Sequence, residues 1–345
     1  MNKIFLDKIE KNFLFSLQNY DNFSASKYWK KSIIKKKKLF KKSNLVNFRK
    51  NGLAKNIDDF YLDKKETILL FNKLKKDCDD KFILKFLENK NYGNAKKIYR
   101  FKEKFFSPTD LFIIKYVDEL TKKLDFKKIN VICEIGQGYG LLASKLLKIK
   151  KFKMILIDLP ESNLITAYYL KKIYPQKKII MDIDLKNKKL SKNDLKNGDI
   201  FIISPWIEIK KLNADLFINS RSMMEMTKKS IAKYFDVIKN NIQNNGYFLC
   251  INRYYKDLVG YPIELHLYPF DQNWRIVVSK KSWMQSSMHF LLLKRAIKKN
   301  NDIKIELIKI KQEYLKILRK EKFLIRRYLP ISIYRYYKYF KNLVT

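Results

Sequence analysis

From Ser107 onward the apolar positions of this chain alternate between two rhythms. SPTDLFIIKYVDELTKKL sets Leu111, Ile114, Val117 and Leu120 at helical spacing. Ser107 suits an N-cap, Pro108 the first helical position, and Asp110 completes a capping box, so a helix starts here. Unbroken apolar runs then alternate with helical stretches. INVICEI predicts a buried strand, GLLASKLLKI a helix, FKMILIDL a second strand, and LITAYYLKKIYP a helix closed by Pro175. KKIIMDI, DIFIISP and ADLFINS predict three more strands. SMMEMTKKSIAKYFDVIKNNIQNNG predicts one long helix with Thr227, Ile231, Tyr234, Ile238 and Ile242 on its inner face and Gly246 as its C-cap. GYFLCINR and WRIVVS read as strands, and QSSMHFLLLKR as a helix. This βαβα order predicts an α/β fold, a doubly wound, mostly parallel, Rossmann-like sheet over residues 107–295.

The flanks differ. Residues 1–106 show no strand alternation and predict a basic, α-helical N-terminal region, with KKSIIKKKKLFKK as a solvated face. Residues 296–345 predict a basic helical tail, with Ile303, Leu307, Ile310, Tyr314 and Ile317 on one side. ISIYRYYKYFKNLV then interleaves basic and aromatic residues. Such a tail either docks on the protein's own core or lies along a membrane surface.

Charge widens the set of partners. The formal net charge is +41, mostly from Lys. Lys, Asn and Ile are together what an AT-rich genome over-supplies, so part of the charge is compositional drift. A basic surface still attracts nucleic acid, anionic lipid and acidic glycans. Three cysteines without a CxxC pair, and only two histidines, argue against a structural zinc or a disulfide framework. The N-terminus lacks a signal-peptide h-region, and no run approaches the roughly eighteen apolar residues of a spanning helix. The expected location is the cytoplasm, with peripheral contact at the inner membrane face through the tail.

The chemistry concentrates in CEIGQGYG. Of eight glycines in the chain, three are Gly136, Gly138 and Gly140, between a predicted strand and a predicted helix. Bare backbone there allows close approach of a ligand. A dinucleotide fingerprint needs a small residue where Leu141 stands. The pattern present is Glu134-x-Gly-x-Gly-x-Gly, followed by Asp158 at the end of the next strand. It resembles motif I of class I S-adenosylmethionine-dependent methyltransferases.

Further segments resemble the sugar O-methyltransferase family found near bacterial surface-polysaccharide genes. They are IDLPE with its YYL helix, DLFINSRSMMEM (Asp215 to Met226), the Asn252–Arg253 pair, YPFDQNW (Tyr268 to Trp274), and upstream SKYWKK and NFRKNG. The resemblance runs over roughly residues 24–295. It implies S-adenosylmethionine as cofactor and a sugar or glycan hydroxyl as acceptor. Glu134, Gly136, Gly138 and Gly140 would line the methionine and ribose side, Asp158 would take the ribose hydroxyls, and Leu159 would pack on the adenine. The adenine edge falls to Asp182 or to the Ser204–Pro205–Trp206 turn. Spacing favours Trp206, which also suits a plain core position. Asn219 would contact the cofactor and Ser220 the substrate, at the carboxyl end of a strand.

Glu225, His266 and His289 are the candidate general bases. Glu225 doubles as the end of a capping box from Ser222, and both histidines also read as structural. Arg253 and Tyr254 would hold a sugar or an anionic group. No metal is expected. An RNA methyltransferase is the competing reading. Against it, the fourth strand ends in NSRS, not N/D-P-P-Y, and no Pro-Cys pair is present. A binding protein that keeps the fold without turnover is a third, opposed by the intact glycine motif. The sequence sets no oligomeric state.

Overall fold

The alternation resolves into one eight-stranded sheet in a computed structural model, which describes residues 3–20, 26, 29–31, 42–50, 53–54, 62–283 and 285–328. The strands are β1 Val131–Ile135, β2 Lys153–Ile157, β3 Ile179–Met181, β4 Ile200–Ile203, β5 Ala214–Ser220, β6 Ile242–Arg253, β7 Trp274–Lys281 and β8 Met288–Arg295. Their spatial order is β7-β8-β6-β5-β1-β2-β4-β3. Only β8 runs against its neighbours, antiparallel to β6 and β7. The fold is therefore the expected α/β, doubly wound, mostly parallel Rossmann-like sheet. After β1 the chain builds outward through β2, β3 and β4, then crosses to β5 on the other side of β1. Open α/β sheets bind ligands at such a reversal, beyond the carboxyl ends of the strands.

The strands read as continuous apolar runs because both sheet faces are covered. One face packs Leu216, Ile218, Leu249 and Ile251 against α1 (Lys3–Leu17), α4 (Pro108–Lys123), α5 (Leu141–Leu146) and α6 (Pro160–Ile173). Helices α2 (Lys64–Asp77) and α3 (Asp80–Phe86) join the same cluster through Leu74, Ile83 and Phe86. The opposite face packs Phe217, Phe248, Cys250 and Leu291 against α7 (Lys228–Asn241) and α8 (Asp302–Tyr328). Helix α4 starts as its sequence dictates. Asp110 accepts from Ser107 N (2.9 Å) and Oγ (2.7 Å), and Leu111, Ile114, Val117 and Leu120 are fully buried.

Four local expectations are corrected. The long helix starts later, with Thr227 as its N-cap accepting from Ser230 N, so Ser222 and Glu225 do not cap it. It stops at Asn241, and Gly246 lies inside β6, beyond an irregularity between Ile242 and Tyr247. A Cβ on Gly246 would stand 2.8 Å from Ile242 Cγ1 and 3.2 Å from Ala214 O, so crowding against β5 explains that glycine. QSSMHFLLLKR forms β8, not a helix; its apolar run is continuous because Phe290 to Leu293 feed both cores in turn. The N-terminal region is not all helical, since Tyr99–Phe101 and Lys104–Phe106 form a hairpin.

The tail docks. Ile303, Ile310 and Tyr314 are buried, with Leu307 and Ile317 packed beside them on the second core. ISIYRYYKYFKNLV and most of KKSIIKKKKLFKK lie outside the described residues. Among the described residues no helix is long and apolar enough to cross a membrane.

Two buried polar brackets tie the N-terminal region to the sheet. Asp182, just past β3, accepts from Ser16 Oγ of α1 (2.6 Å) and from Ser204 N past β4 (2.9 Å). Lys145 of α5 is fully buried between Glu88 (2.5 Å) and Asp110 (2.9 Å), and Arg49 donates to Ser107 Oγ (2.7 Å). Burial works to raise the Asp110 carboxyl, but the Lys145 and Arg49 charges and the Ser107 N–H hold it down to about 2. It therefore stabilises the fold above its usual 3.8, a contribution lost as pH falls through about 2. Lys145→Met removes the cation shared by two buried carboxylates, leaving Glu88 only Lys148 (3.2 Å) and Asp110 only Ser107 and the Arg49 charge. It should lower the unfolding free energy at neutral pH by about 3–5 kcal/mol, read from the urea midpoint. An unchanged midpoint would remove the network from this role.

Candidate active site

The loop after β1 is built for bare backbone. Gly136, Gly138 and Gly140 have φ of +75°, +63° and +86°, the left-handed region in which side chains are strained. Space is closed as well. A Cβ on Gly136 would lie 2.0 Å from Ser222 Oγ, and one on Gly140 would lie 2.9 Å from Thr166 Cγ2. The loop is fastened from its neighbours. Gly136 N donates to Ile157 O of β2 (2.8 Å), and Gly138 N to Asp158 Oδ2 (2.9 Å). Thr166 Oγ1 of α6 donates to Gly138 O (2.8 Å). Asp158 also accepts from Leu159 N at Oδ1 (2.7 Å).

Glu134 lies under this loop, 2% exposed, and its Oε2 makes no hydrogen bond. Burial, with the Asp158 charge second, pushes its pKa up to about 8. Gln137 Oε1 is likewise buried without a partner, while its Nε2 donates to Asn163 Oδ1 (2.8 Å). Unsatisfied acceptors beside an acidic pair fit a ligand that brings a positive charge and donors.

The adenine-side candidates separate. Both Asp182 oxygens are used inside the protein, so that carboxylate is a bracket. Leu159 and Trp206 instead share a small apolar cluster with Leu17, Tyr20 and Trp29. The rings of Tyr20 and Trp206 meet edge to face at 6.3 Å.

On the other side of β1, Asn219, Ser222 and Asn252 form one network. Asn219 Nδ2 donates to Ile135 O (2.9 Å) and to Ser222 Oγ (2.6 Å), and its Oδ1 accepts from Asn252 Nδ2 (2.8 Å). Asn252 Oδ1 accepts from Met224 N (3.2 Å). Asn219 was expected at the cofactor, but its amide is fully used and it braces the glycine loop. Ser220 and Arg253 end their strands at this rim, half-buried. Glu225 sits in the turn after β5, paired with Lys256.

Three further candidates are not presented to the crevice. His289 is buried on β8 with both ring nitrogens engaged. Ser279 Oγ donates to Glu306 Oε1 (2.6 Å), so it accepts from His289 Nε2–H (2.8 Å), and Nδ1 accepts from the Tyr254 hydroxyl (3.0 Å). Burial, opposed by Glu306 and Glu313, lowers His289 to about 4, leaving it neutral. The same chain takes up the hydroxyl of Tyr254, 1% exposed. His266 stacks on Tyr314 of α8 at 5.6 Å and lies 3.6 Å from Glu264. Among the described residues, no cluster of His, Cys, Asp and Glu is placed to hold a metal ion.

Sequence reasoning missed Tyr20, Trp29, Ser222 and Arg221 as site-forming residues. Trp29 left the clearest signal, as one of four tryptophans, inside a segment otherwise basic. Ser222 was visible only as a cap.

The chain matches no family model and no curated protein sequence, so membership of the sugar O-methyltransferase family has no such match behind it. It is similar in structure to mitomycin 7-O-methyltransferase MmcR, at 13% identity and TM-score 0.35, covering 55% of this chain and 57% of that one. A SAM-dependent methyltransferase from Aquifex aeolicus aligns at 15% identity and TM-score 0.34, over 52% and 89% of the two chains. TrmK from M. capricolum, solved with S-adenosyl-homocysteine, aligns at 16% identity and TM-score 0.31, over 51% and 70%. At this level of likeness neither activity nor substrate transfers from those proteins.

Glu134 gives a direct test of the site's electrostatics. Its folded value near 8 lies above its ordinary 4.5. Between those limits the folded protein keeps a proton that the unfolded chain has released, so stability falls as pH rises from 4.5 to about 8. Glu134→Gln should abolish that fall. It should gain on the wild type by on the order of 5 kcal/mol across this range, read from urea midpoints at its two ends. Parallel pH profiles would contradict the assignment.

Proposed function

We propose that the protein is an S-adenosylmethionine-dependent O-methyltransferase acting on a sugar hydroxyl of a surface polysaccharide or its precursor. The observation that carries the cofactor is the left-handed glycine loop fastened to Asp158, with Glu134 buried and unsatisfied beneath it. When bound, S-adenosylmethionine supplies a methyl group on a sulfonium, activated for in-line displacement. Asp158 holds the ribose hydroxyls. Glu134, once ionised, faces a cationic ligand, and Gln137 Oε1 accepts one of its donors. Leu159 and Trp206, roofed by Tyr20 and Trp29, enclose the adenine and exclude water.

The acceptor lies across β1, at the ends of β5 and β6, where Ser220 and Arg253 position it. Glu225 takes the hydroxyl proton. It is the one base candidate of the three at this rim, where it pairs with Lys256. The sugar assignment is supported by the DLFINSRSMMEM and Asn252–Arg253 segments, which meet in the Asn219–Ser222–Asn252 network. The RNA reading is supported by net charge, which drift also explains. We place the enzyme in the cytoplasm, peripheral at the anionic inner membrane face. With the α8 face docked, that contact falls to the basic residues beyond Tyr328.

Incubation with labelled S-adenosylmethionine, an extracted glycan fraction and total RNA tests the acceptor. Label is expected in glycan, and label in RNA alone would refute the assignment. Asp158→Ala should weaken S-adenosylmethionine binding at least tenfold by calorimetry, the loss of about 1.4 kcal/mol or more of hydrogen bonding. Unchanged affinity would place the ribose elsewhere. A chain ending at Tyr328 should lose binding to anionic vesicles, and undiminished binding would disprove the tail's role.

A further inference from the structure

The acceptor rim holds two arginines in an arrangement that a neutral sugar does not require. On β6, Ile251 and Arg253 point to one sheet face, and Met288 of β8 pairs with Arg253. Ile251 and Met288 belong to the core cluster that also contains Tyr116 of α4, so Arg253 leaves the sheet on the α4 side. Arg221 follows Ser220, which pairs with Ile251. Its backbone is left-handed, φ +65°, and its N–H donates to Ile251 O (2.7 Å). A long side chain in that region is strained, and such strain persists where the surroundings impose it, often at binding sites.

The two guanidinium groups therefore emerge from adjacent strand ends. Burial, and Arg253 as a like charge, lower the Arg221 pKa against the pull of Tyr116 and Glu225. Arg253 Nε is buried and makes no hydrogen bond. The nearby Glu225 already pairs with Lys256. Residue type adds a second argument. The chain's cations are overwhelmingly Lys, in part the product of drift, yet the two at the ends of β5 and β6 are Arg. The planar guanidinium fork matches a carboxylate or phosphate in a way an ammonium does not.

We infer that the acceptor carries an oxyanion held between Arg221 and Arg253, so that the methylated hydroxyl belongs to an acidic or phosphate-linked sugar. This rests on the methyltransferase reading above. The oxyanion has two sources, a carboxylate of the sugar itself or the diphosphate of a nucleotide- or lipid-linked precursor.

Calorimetric titrations at physiological salt, which screens surface lysines, separate the outcomes. The probes are inorganic pyrophosphate, glucuronate and neutral methyl glucoside, each with and without S-adenosylhomocysteine. One anion is expected to saturate, and methyl glucoside to bind at least tenfold more weakly. Arg253→Gln and Arg221→Gly should each weaken the anion at least tenfold and leave S-adenosylhomocysteine affinity within threefold. Arg221→Gly suits a left-handed backbone, so its thermal midpoint should hold or rise and misfolding cannot explain its loss of binding. Preference for pyrophosphate identifies a linked precursor, and preference for glucuronate an acidic sugar. Saturation by neither anion, or unchanged affinity in both variants, overturns the inference. Wild type that fails to bind S-adenosylhomocysteine overturns the methyltransferase reading instead.

Discussion

The five residues from Gly136 to Gly140 turn left-handed three times, and the surrounding structure depends on the side chains missing there. An L-residue in that conformation costs about 1–2 kcal/mol, so three such residues would cancel much of a domain's typical stability of about 5–15 kcal/mol. The space is used as well as the torsions. Ser222 Oγ occupies the volume where a Gly136 side chain would stand. Ser222 is held by Asn219, and Asn219 by Asn252, so the ends of β1, β5 and β6 share one hydrogen-bonded network. From the other side, Asp158 and Thr166 fix the Gly138 peptide groups. The loop's shape is thus over-determined by four elements, and a ligand would meet a preformed surface.

The crevice is polarised around that loop. On the β1–β2 side, two acids lie close enough that Asp158 helps keep Glu134 protonated. On the β5–β6 side, two arginines lie close enough that one lowers the pKa of the other. Burial opposes charge on both sides, keeping Glu134 protonated and lowering the Arg221 pKa. A cation entering on the first side and an anion on the second would each ease that cost. Methyl transfer from a sulfonium to an acceptor anchored by an oxyanion has that polarity.

The sequence made legible the elements whose period or residue type admitted one reading. The βαβα order, helix α4 with its capping box, and the glycine loop with Asp158 all stand where apolar rhythm and glycine spacing placed them. What it hid were contacts set by tertiary register. Ser222 followed by Glu225 three residues on is a valid capping pattern, yet packing against Gly136 claimed the serine and left Thr227 to start α7. The run FLLL in β8 has no period because both sheet faces are buried, so it could not be told from a helix. His289 looked like a base because histidine titrates near neutral pH. Only burial against Tyr254 and Ser279 shows that it stays neutral and engaged.

The N-terminal region was read as a basic helical appendage, and its role follows from two brackets that no local pattern announces. Asp182 grips α1 through Ser16, and Lys145 grips the segment around Arg49 and Glu88. With both ends tied, Tyr20 and Trp29 come to rest against Leu159 and Trp206, so the apolar side of the crevice is completed by residues far upstream in the chain. Most lysines take no part in this. Exposed pairs contribute about 0–1 kcal/mol each and are screened within about 8 Å at physiological salt. The informative cations are therefore the few that are buried or held in place. Lys145 orders the fold, and Arg221 and Arg253 shape the rim, whereas the total charge of the chain describes mainly the solvent it meets.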